Sequence, residues 1–417
     1  MMHNKVFFAA VLTLFTSQLF AQIDSSLLRR VAKDTVKKVM NMDAIYNRPF
    51  LSVSKLPVSL GGYAEGNWQH LGVNGISEGH QLQFRRLSLF MASTISKRIK
   101  FLSEIEFEHN PELNKGKSME IGIEYAAIDI EFHPLLNLRS GIILNPIGAF
   151  NQNHDGPKWE FTDRPIAMTK MLPATWSNAG FGFFGKQYTK NWMFGYELYM
   201  TSGFNNSIID NDRNITYLPE AAEDASRFAS IQSGEPLISA KIAIRNSMVG
   251  ELGVSYMGHT YNKYQQDGLT IDSKRRLDVF ALDFNTTIPK INTQINAEFA
   301  WVFVETPVNY AENYGSKQQG GFLDVVQPIL KRRMFGWDKA VVNLACRFEY
   351  VDWNVGSFRQ IGGNIAEDLW SIMPAISFRP TPQTVLRLNY RYQHQRDVAG
   401  NAPTKTAGFI FGVSSYF

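Results

Sequence analysis

From Pro57 onward, large apolar side chains recur at every second residue over unusually long stretches. In "KINTQINAEFAWVF", Ile291, Thr293, Ile295, Ala297, Phe299, Trp301 and Phe303 share one side, and Asn292, Gln294, Asn296 and Glu298 share the other. "TVLRLNYRYQH" sets Leu386, Leu388, Tyr390 and Tyr392 against Arg387, Asn389, Arg391 and Gln393, and "FLSEIEFEHN" sets Phe101, Ile105 and Phe107 against Glu104, Glu106 and Glu108. Alternation with period two places each set on one face of a β-strand. Runs of about 10 to 14 residues are roughly twice the usual strand length, and match the 9 to 11 residues that a tilted strand needs to cross a bilayer. One face of such a strand meets lipid and the other a wet lumen.

The connections point the same way. Strands are expected to start near Pro57, His80, Lys100, Ser118, Leu136, Ser177, Asn191, Leu237, Gly250, Arg275, Ile291, Gly320, Val341, Asp368, Gln383 and Lys405. Short links follow the even strands and long links the odd ones, among them Ile147 to Trp176 and Phe204 to Pro236. That alternation is the rule for outer-membrane barrels, with short periplasmic turns and long external loops. The pattern predicts an all-β fold: a closed transmembrane antiparallel β-barrel of about 16 strands over 57–417. Its weakest strand is the twelfth, which Pro328 interrupts. The chain finishes on "GFIFGVSSYF", with Phe409, Phe411, Val413 and Phe417 on one face. A closing strand with this ending resembles the C-terminal signal by which outer-membrane barrels are recognised, so the barrel-assembly machinery is an expected partner, beside outer-membrane lipid.

Upstream of the barrel, His3 and Lys5 precede an apolar run from Val6 to Phe20, with Ala21 before Gln22, which reads as a signal peptide over 1–21. Residues 22–56 are expected to form a short periplasmic segment. Within it, Leu28, Val31, Thr35, Val39 and Met42 fall at helical spacing among basic residues. A mean hydropathy of −0.19 argues against a helical membrane protein. Forty-two Lys and Arg against 38 Asp and Glu leave a net charge of only +4, which gives no reason to expect nucleic acid. The single cysteine, Cys346, excludes an intramolecular disulfide or a cysteine metal cluster.

The stretch "LRSGIILNPIGAFNQNHDGPKWEFTDRPIAMTKMLPATWSNAGFGFFG" is the most distinctive. It carries Pro146 and Gly148, then Asn153, His154 and Pro157, then Asp163, Arg164 and Pro165, and finally Pro173, Thr175 and Trp176 before Gly180 and Gly182. These residues resemble the phosphate-selective porin O and P family, taken broadly, over about fifty positions. The resemblance implies a sixteen-stranded porin, usually a homotrimer, whose third external loop folds inward as a constriction. On that basis Asp155, Lys158, Asp163, Arg164 and Lys170 are candidates for the constriction, with wall-stapling as the alternative role of Asp163 and Arg164. Glu104, Glu106, Glu108, Arg347, Arg387 and Arg391 fall on faces expected to line the pore. Carboxylates on one wall and guanidiniums on the other would set up a transverse field with weak selection by sign.

The function expected is therefore a porin, a water-filled channel for passive diffusion of small hydrophilic solutes or ions, with anion or phosphate preference as the finer possibility. The alternative is a barrel serving as an adhesin or interaction protein through external loops, for instance through "PEAAEDASRFASIQ". An enzyme is not expected. The eight histidines are dispersed without a His-x-x-x-His pair, and His109, His154 and His394 read as solvated or loop-packing residues, so no catalytic, cofactor or metal residues are assigned.

Overall fold

Because alternating strands expose one apolar face and carry unpaired edges, they are stable in lipid only when the sheet closes on itself. The computed structural model shows that closure. It describes residues 39–51, 58–108, 120–223, 225–228, 231, 233–310, 314–358, 362–398 and 400–417. In chain order the strands are β1 (Ser59–Val73), β2 (Ile76–Ser96), β3 (Ile99–Glu108), β4 (Glu120–His133), β5 (Leu136–Leu144), β6 (Ser177–Tyr188), β7 (Trp192–Thr201), β8 (Leu237–Asn246), β9 (Gly250–Thr260), a small external hairpin β10 (Gln265–Gln266) and β11 (Leu269–Thr270), then β12 (Arg276–Thr287), β13 (Gln294–Val304), β14 (Lys317–Met334), β15 (Trp337–Asp352), β16 (Asp368–Thr381), β17 (Thr384–Arg396) and β18 (Thr404–Tyr416). All but the hairpin form one closed, sixteen-stranded antiparallel barrel. Its strands start within a few residues of the positions expected from the alternation. Pro328 sits at a bulge in β14, where the register with β15 shifts, so the strand continues past it.

The outer face is apolar where the alternation requires it. Phe181, Phe183, Phe194, Leu198, Ile242, Leu252, Val254, Phe280, Leu282, Leu344, Phe348 and Ile376 are all exposed to the surroundings. Phe409, Phe411, Val413 and Phe417 point the same way, while Ile410, Ser414 and Tyr416 are buried inward. The seam is the pairing of β1 with β18. Phe417 extends it: its N–H donates to the Gly62 carbonyl at 3.0 Å, and the Gly62 N–H returns a bond at 3.1 Å. A Cβ on Gly62 would stand 2.7 Å from the Phe417 ring and collide with the Ser88 carbonyl, so only glycine fits there. This is the architecture of bacterial outer-membrane barrels.

The interior departs from a plain polar tube. Around β9, β12 and β13, the inward positions Met257, Leu277, Val279, Ala281, Ala300, Val302 and Val304 are apolar and buried. They pack against Ile147, Phe150, Ile166, Met168, Met171 and Trp176 of the β5–β6 connection, and against Phe204, Ile208, Ile209 and Leu218 of the β7–β8 connection. Burial against infolded loops replaces the water that alternation alone led one to expect there. The "PEAAEDASRFASIQ" stretch contributes one helical turn, Glu220–Glu223, and a 3-10 turn, Ala225–Phe228.

At the other end, Asn41–Asp43 form a single 3-10 turn, and residues 40–51 lie among inward-facing wall residues. The signal peptide and the remainder of the helical expectation fall outside the described residues, as does His109. Gly75-Ile76-Ser77-Glu78-Gly79 has the spacing of a hydrolase nucleophile elbow, but here it is the β1–β2 turn and the start of β2. It lacks the strand-to-helix bend that exposes such a serine.

Candidate functional site

The site grows from two irregularities in the wall. Between β1 and β2 the register runs Glu65↔Arg86 and then Gly66↔Phe84, so Arg85 is an extra residue. A bulge turns two consecutive side chains to the same side, and Arg85 and Arg86 both reach the lumen. Between β3 and β4, Glu104↔Tyr125 is followed by Ile105↔Ile123, which makes Glu124 the extra residue beside inward-facing Tyr125. Period-two reading cannot find such residues, because it presumes that neighbours point apart. The sequence cue was available as an Arg-Arg and a Glu-Tyr pair in otherwise alternating strands.

Residues 145–176 are bonded to wall side chains from most of the ring. Near its start, the Ala149 and Phe150 N–H groups donate to one oxygen of Glu298 on β13, both at 2.8 Å. Gly148 donates to Ser255 on β9 at 3.0 Å and accepts from Lys241 on β8 at 2.6 Å. Its φ of +63° and the Glu298 carboxylate, which occupies the space of a Cβ, both demand glycine. Gln152 donates to Glu197 on β7 at 2.9 Å. Further along, Arg387 on β17 donates to the carbonyls of Gly156 and Trp159 at 2.9 and 2.7 Å, and Arg347 on β15 to that of Asp163 at 2.7 Å. Arg379 on β16 pairs with Glu160 at 2.6 Å, and the Thr162 N–H donates to Asn389 at 2.8 Å.

The residues singled out by sequence separate into three groups. Asp163 is the centre of one: it pairs with Arg85, and with Arg391 at 2.8 Å, while Arg164 reaches Glu106 at 3.4 Å. Asp163 and Arg164 therefore staple the loop to two wall sectors. Burial by itself would raise the pKa of Asp163, but Arg391 and Arg85 outweigh it and hold the carboxyl well below the usual range.

Asp155 centres the second group. It accepts from Arg48 at 2.7 Å and from the Tyr416 hydroxyl at 2.7 Å, with the Lys158 ammonium 3.1 Å away. Arg48 also pairs with Glu104 at 2.7 Å, and His154 is buried between the Asn151 carbonyl and Glu104, a loop-packing histidine. Lys170 stands apart in the 167–171 turn, where its carbonyl accepts from Trp353 at 3.0 Å.

The third group is the wall itself. The transverse field expected from Glu104, Glu106 and Glu108 against Arg347, Arg387 and Arg391 is largely cancelled by neighbours. Glu106 accepts from Arg86 at 2.9 Å and Ser88 at 2.8 Å, and Glu108 pairs with Arg86. Arg347 lies in a two-bond pair with Asp324, both 2.7 Å, and Arg387 lies 3.3 Å from Glu65. Arg347 and Arg387 hold loop carbonyls rather than facing an open bore, since each buried guanidinium needs several acceptors, whereas Arg391 pairs with the Asp163 carboxylate. Glu104, Glu106 and His154 place ligand atoms within 4.8 Å of one another. Their carboxylates already accept from Arg48, Arg86 and Arg164, so a metal ion would have to displace guanidinium groups.

Solvent reaches the lumen on the β1, β2 and β17 side. Side-chain exposure there is 23% for Arg85, 15% for Arg391, 13% for Asp163 and 11% for Arg164, against 1% for Arg347 and Arg387. Gln69, Gln81, Gln83 and Gln393 are also half-buried here. Arg48, Arg85, Arg86, Glu65, Glu160 and Glu298 all hold the loop, the wall or the 40–51 segment in place, and none was picked out by the sequence.

Comparison with known proteins agrees with the architecture. The outer-membrane channel DcaP of Acinetobacter baumannii superposes over 88% of this chain and 99% of its own, with a TM-score of 0.55 and 11% identity. An anion-selective porin from Comamonas acidovorans covers 86% of this chain and 99% of its own, with a TM-score of 0.52 and 11% identity. An uncharacterized protein of Aquifex aeolicus (strain VF5) is 35% identical over 131 residues, 31% of this chain, and the chain spans about 30% of that relative's length. No family model matches the chain, so the finer resemblance to the O and P porins rests on its motif residues. What these likenesses establish is a fold: a closed sixteen-stranded barrel of the outer-membrane porin type.

Proposed function

We propose that the protein is an outer-membrane diffusion channel for small hydrophilic solutes and ions, and that its route runs eccentrically beside the 145–176 loop. The observation that supports this most is the set of partly exposed charges Arg85, Asp163, Arg164 and Arg391 beside half-buried glutamines, away from the β9, β12 and β13 sector that loop residues fill. Arg85, Arg164 and Arg391 outnumber the partly exposed carboxylates Asp163 and Glu108 by one, which favours anions modestly, because fixed charge in a narrow, partly desolvated passage acts more strongly than in bulk water. The loop is the constriction in this reading, with Asp155 and Lys158 fixing its middle and Asp163 and Arg164 its narrow edge. The trimeric state found among porins is carried over as part of the same proposal.

Reversal potentials in a salt gradient, combined with liposome swelling over a series of sugars, test this reading. Swelling with small sugars and a modest anion-selective potential support it. The filled lumen also favours a second reading, a sealed barrel acting through its external loops, and absence of any flux from folded protein would establish that one instead.

A further inference from the structure

Residues 40–51 are not wall and not loop, yet they occupy the lumen. Met40 and Met42 pack with Phe184, Met193 and Ala243, and a Cβ on Gly195 of β7 would stand 2.7 Å from the Met42 sulfur. The Asn41 N–H donates to Glu251 on β9 at 3.0 Å, its amide donates to Asp283 on β12 at 3.2 Å, and Asp43 pairs with Lys186 on β6. Ile45 and Leu51 then pack with Tyr63, Phe90, Ala92, Leu102 and Tyr125, which belong to β1 to β4. Twelve residues thus run from one side of the ring to the other. Arg48 sits fully buried at the far side, 3.7 Å over the Phe90 ring, bonded to Tyr125 at 2.6 Å and to both Glu104 and Asp155.

Asp155 belongs to the loop and Glu104 to the wall, so one side chain ties three separate parts of the chain together. A buried guanidinium with two carboxylates and a phenol is well satisfied, whereas removing it would leave Asp155 with only Lys158 and the Tyr416 hydroxyl, and Glu104 with only His154. A packed, ion-paired strap across a tube must narrow it.

Resting on the porin reading above, we propose that residues 40–51 form a second constriction, and that Arg48 is the positioning residue that locks it to the loop. Conductance and the size limit are then set by strap and loop together. The Met40–Met42 end seals one side of the lumen and the Arg48 end leaves passage only along the Arg85–Arg391 side. The segment is thereby a specificity element rather than a periplasmic tether.

The test replaces residues 40–51 by a Gly-Ser linker of equal length in the full chain, in a Cys346→Ser background that also carries Ala92→Cys. Ala92 lies in the strap-covered cluster and is 1% exposed. With the native strap, a charged maleimide should label Cys at this position slowly. With the linker, labelling should accelerate, single-channel conductance should rise severalfold, and larger sugars should enter liposomes. Arg48→Ala should shift conductance in the same direction without the deletion, and Arg48→Lys should restore part of it.

A folded linker variant with the native conductance, size limit and labelling rate would overturn the proposal, as would an Arg48→Ala channel indistinguishable from the native one. If neither protein carries current while the labelling contrast persists, the porin reading has failed and the strap is a seal, not a constriction.

Discussion

Replacing Asp163 by asparagine changes one charge and almost no volume. The loop keeps its other anchors, including the bonds from Arg347 and Arg387 to its carbonyls and that from the Thr162 N–H to Asn389. Structural disturbance should therefore be small, and the effect should be electrostatic. An ion passing about 5 Å from this carboxylate in water feels about 0.8 kcal/mol, which screening over a Debye length of about 10 Å at 0.1 M reduces to about 0.5 kcal/mol. Removing the charge stabilises a passing anion and destabilises a passing cation by that amount, so the permeability ratio moves about fivefold toward anions. A lower local dielectric would enlarge the change. The assay is the reversal potential across a planar bilayer in a potassium chloride gradient, comparing Asp163→Asn with the native protein. An unchanged potential with unchanged conductance would refute the reasoning, because Asp163 would then lie away from the ion path.

Three further outcomes follow from specific contacts. Gly62→Val should lower the yield of folded barrel, seen as heat-modifiable mobility on gels, since its side chain meets the Ser88 carbonyl and the Phe417 ring; Gly66→Ala is the control, with a Cβ 3.6 Å from the Gln83 carbonyl. Arg387→Met leaves the buried Glu65 carboxylate unpaired and the Gly156 and Trp159 carbonyls without their donor. It should cost about 3 to 5 kcal/mol and lower the temperature at which the folded band disappears, while an unmoved transition would remove Arg387 from the anchoring role. For pH, the depressed pKa of Asp163 means that its staple contributes stability above the unfolded carboxylate value and loses it only as pH falls through the folded one. The part of the conductance that depends on Asp163, read as the difference between the native and Asp163→Asn channels, should stay constant from pH 8 down to about pH 4 and change only in stronger acid; a step near neutrality that disappears in Asp163→Asn would contradict this.

The barrel was legible in sequence because lipid imposes a strict rule on every strand. Phe409, Phe411 and Val413 must alternate outward, and Pro328 could be absorbed by a bulge without breaking the count. The interior obeys no such rule. Ala300, Val302 and Val304 face inward as apolar residues because loops pack on them, although their spacing alone resembles a lipid-facing set. Asp163 and Arg391 were both identified as candidates, yet their pairing was not, since 228 residues separate partners whose distance depends on ring closure. Arg85 was hidden by the bulge that aims it. Arg48 lies before the first strand, where no periodicity marks a side chain that will be buried.

The claim on which the rest depends is that an aqueous route passes along the Gln83, Arg85 and Arg391 side of the lumen. Gln83→Cys in the Cys346→Ser background, modified by a bulky, charged thiol reagent during bilayer recording, tests it directly. The account predicts rapid reaction and a stepwise fall in the current of each open channel. Failure of the reagent to react, or reaction that leaves the current untouched, would contradict it.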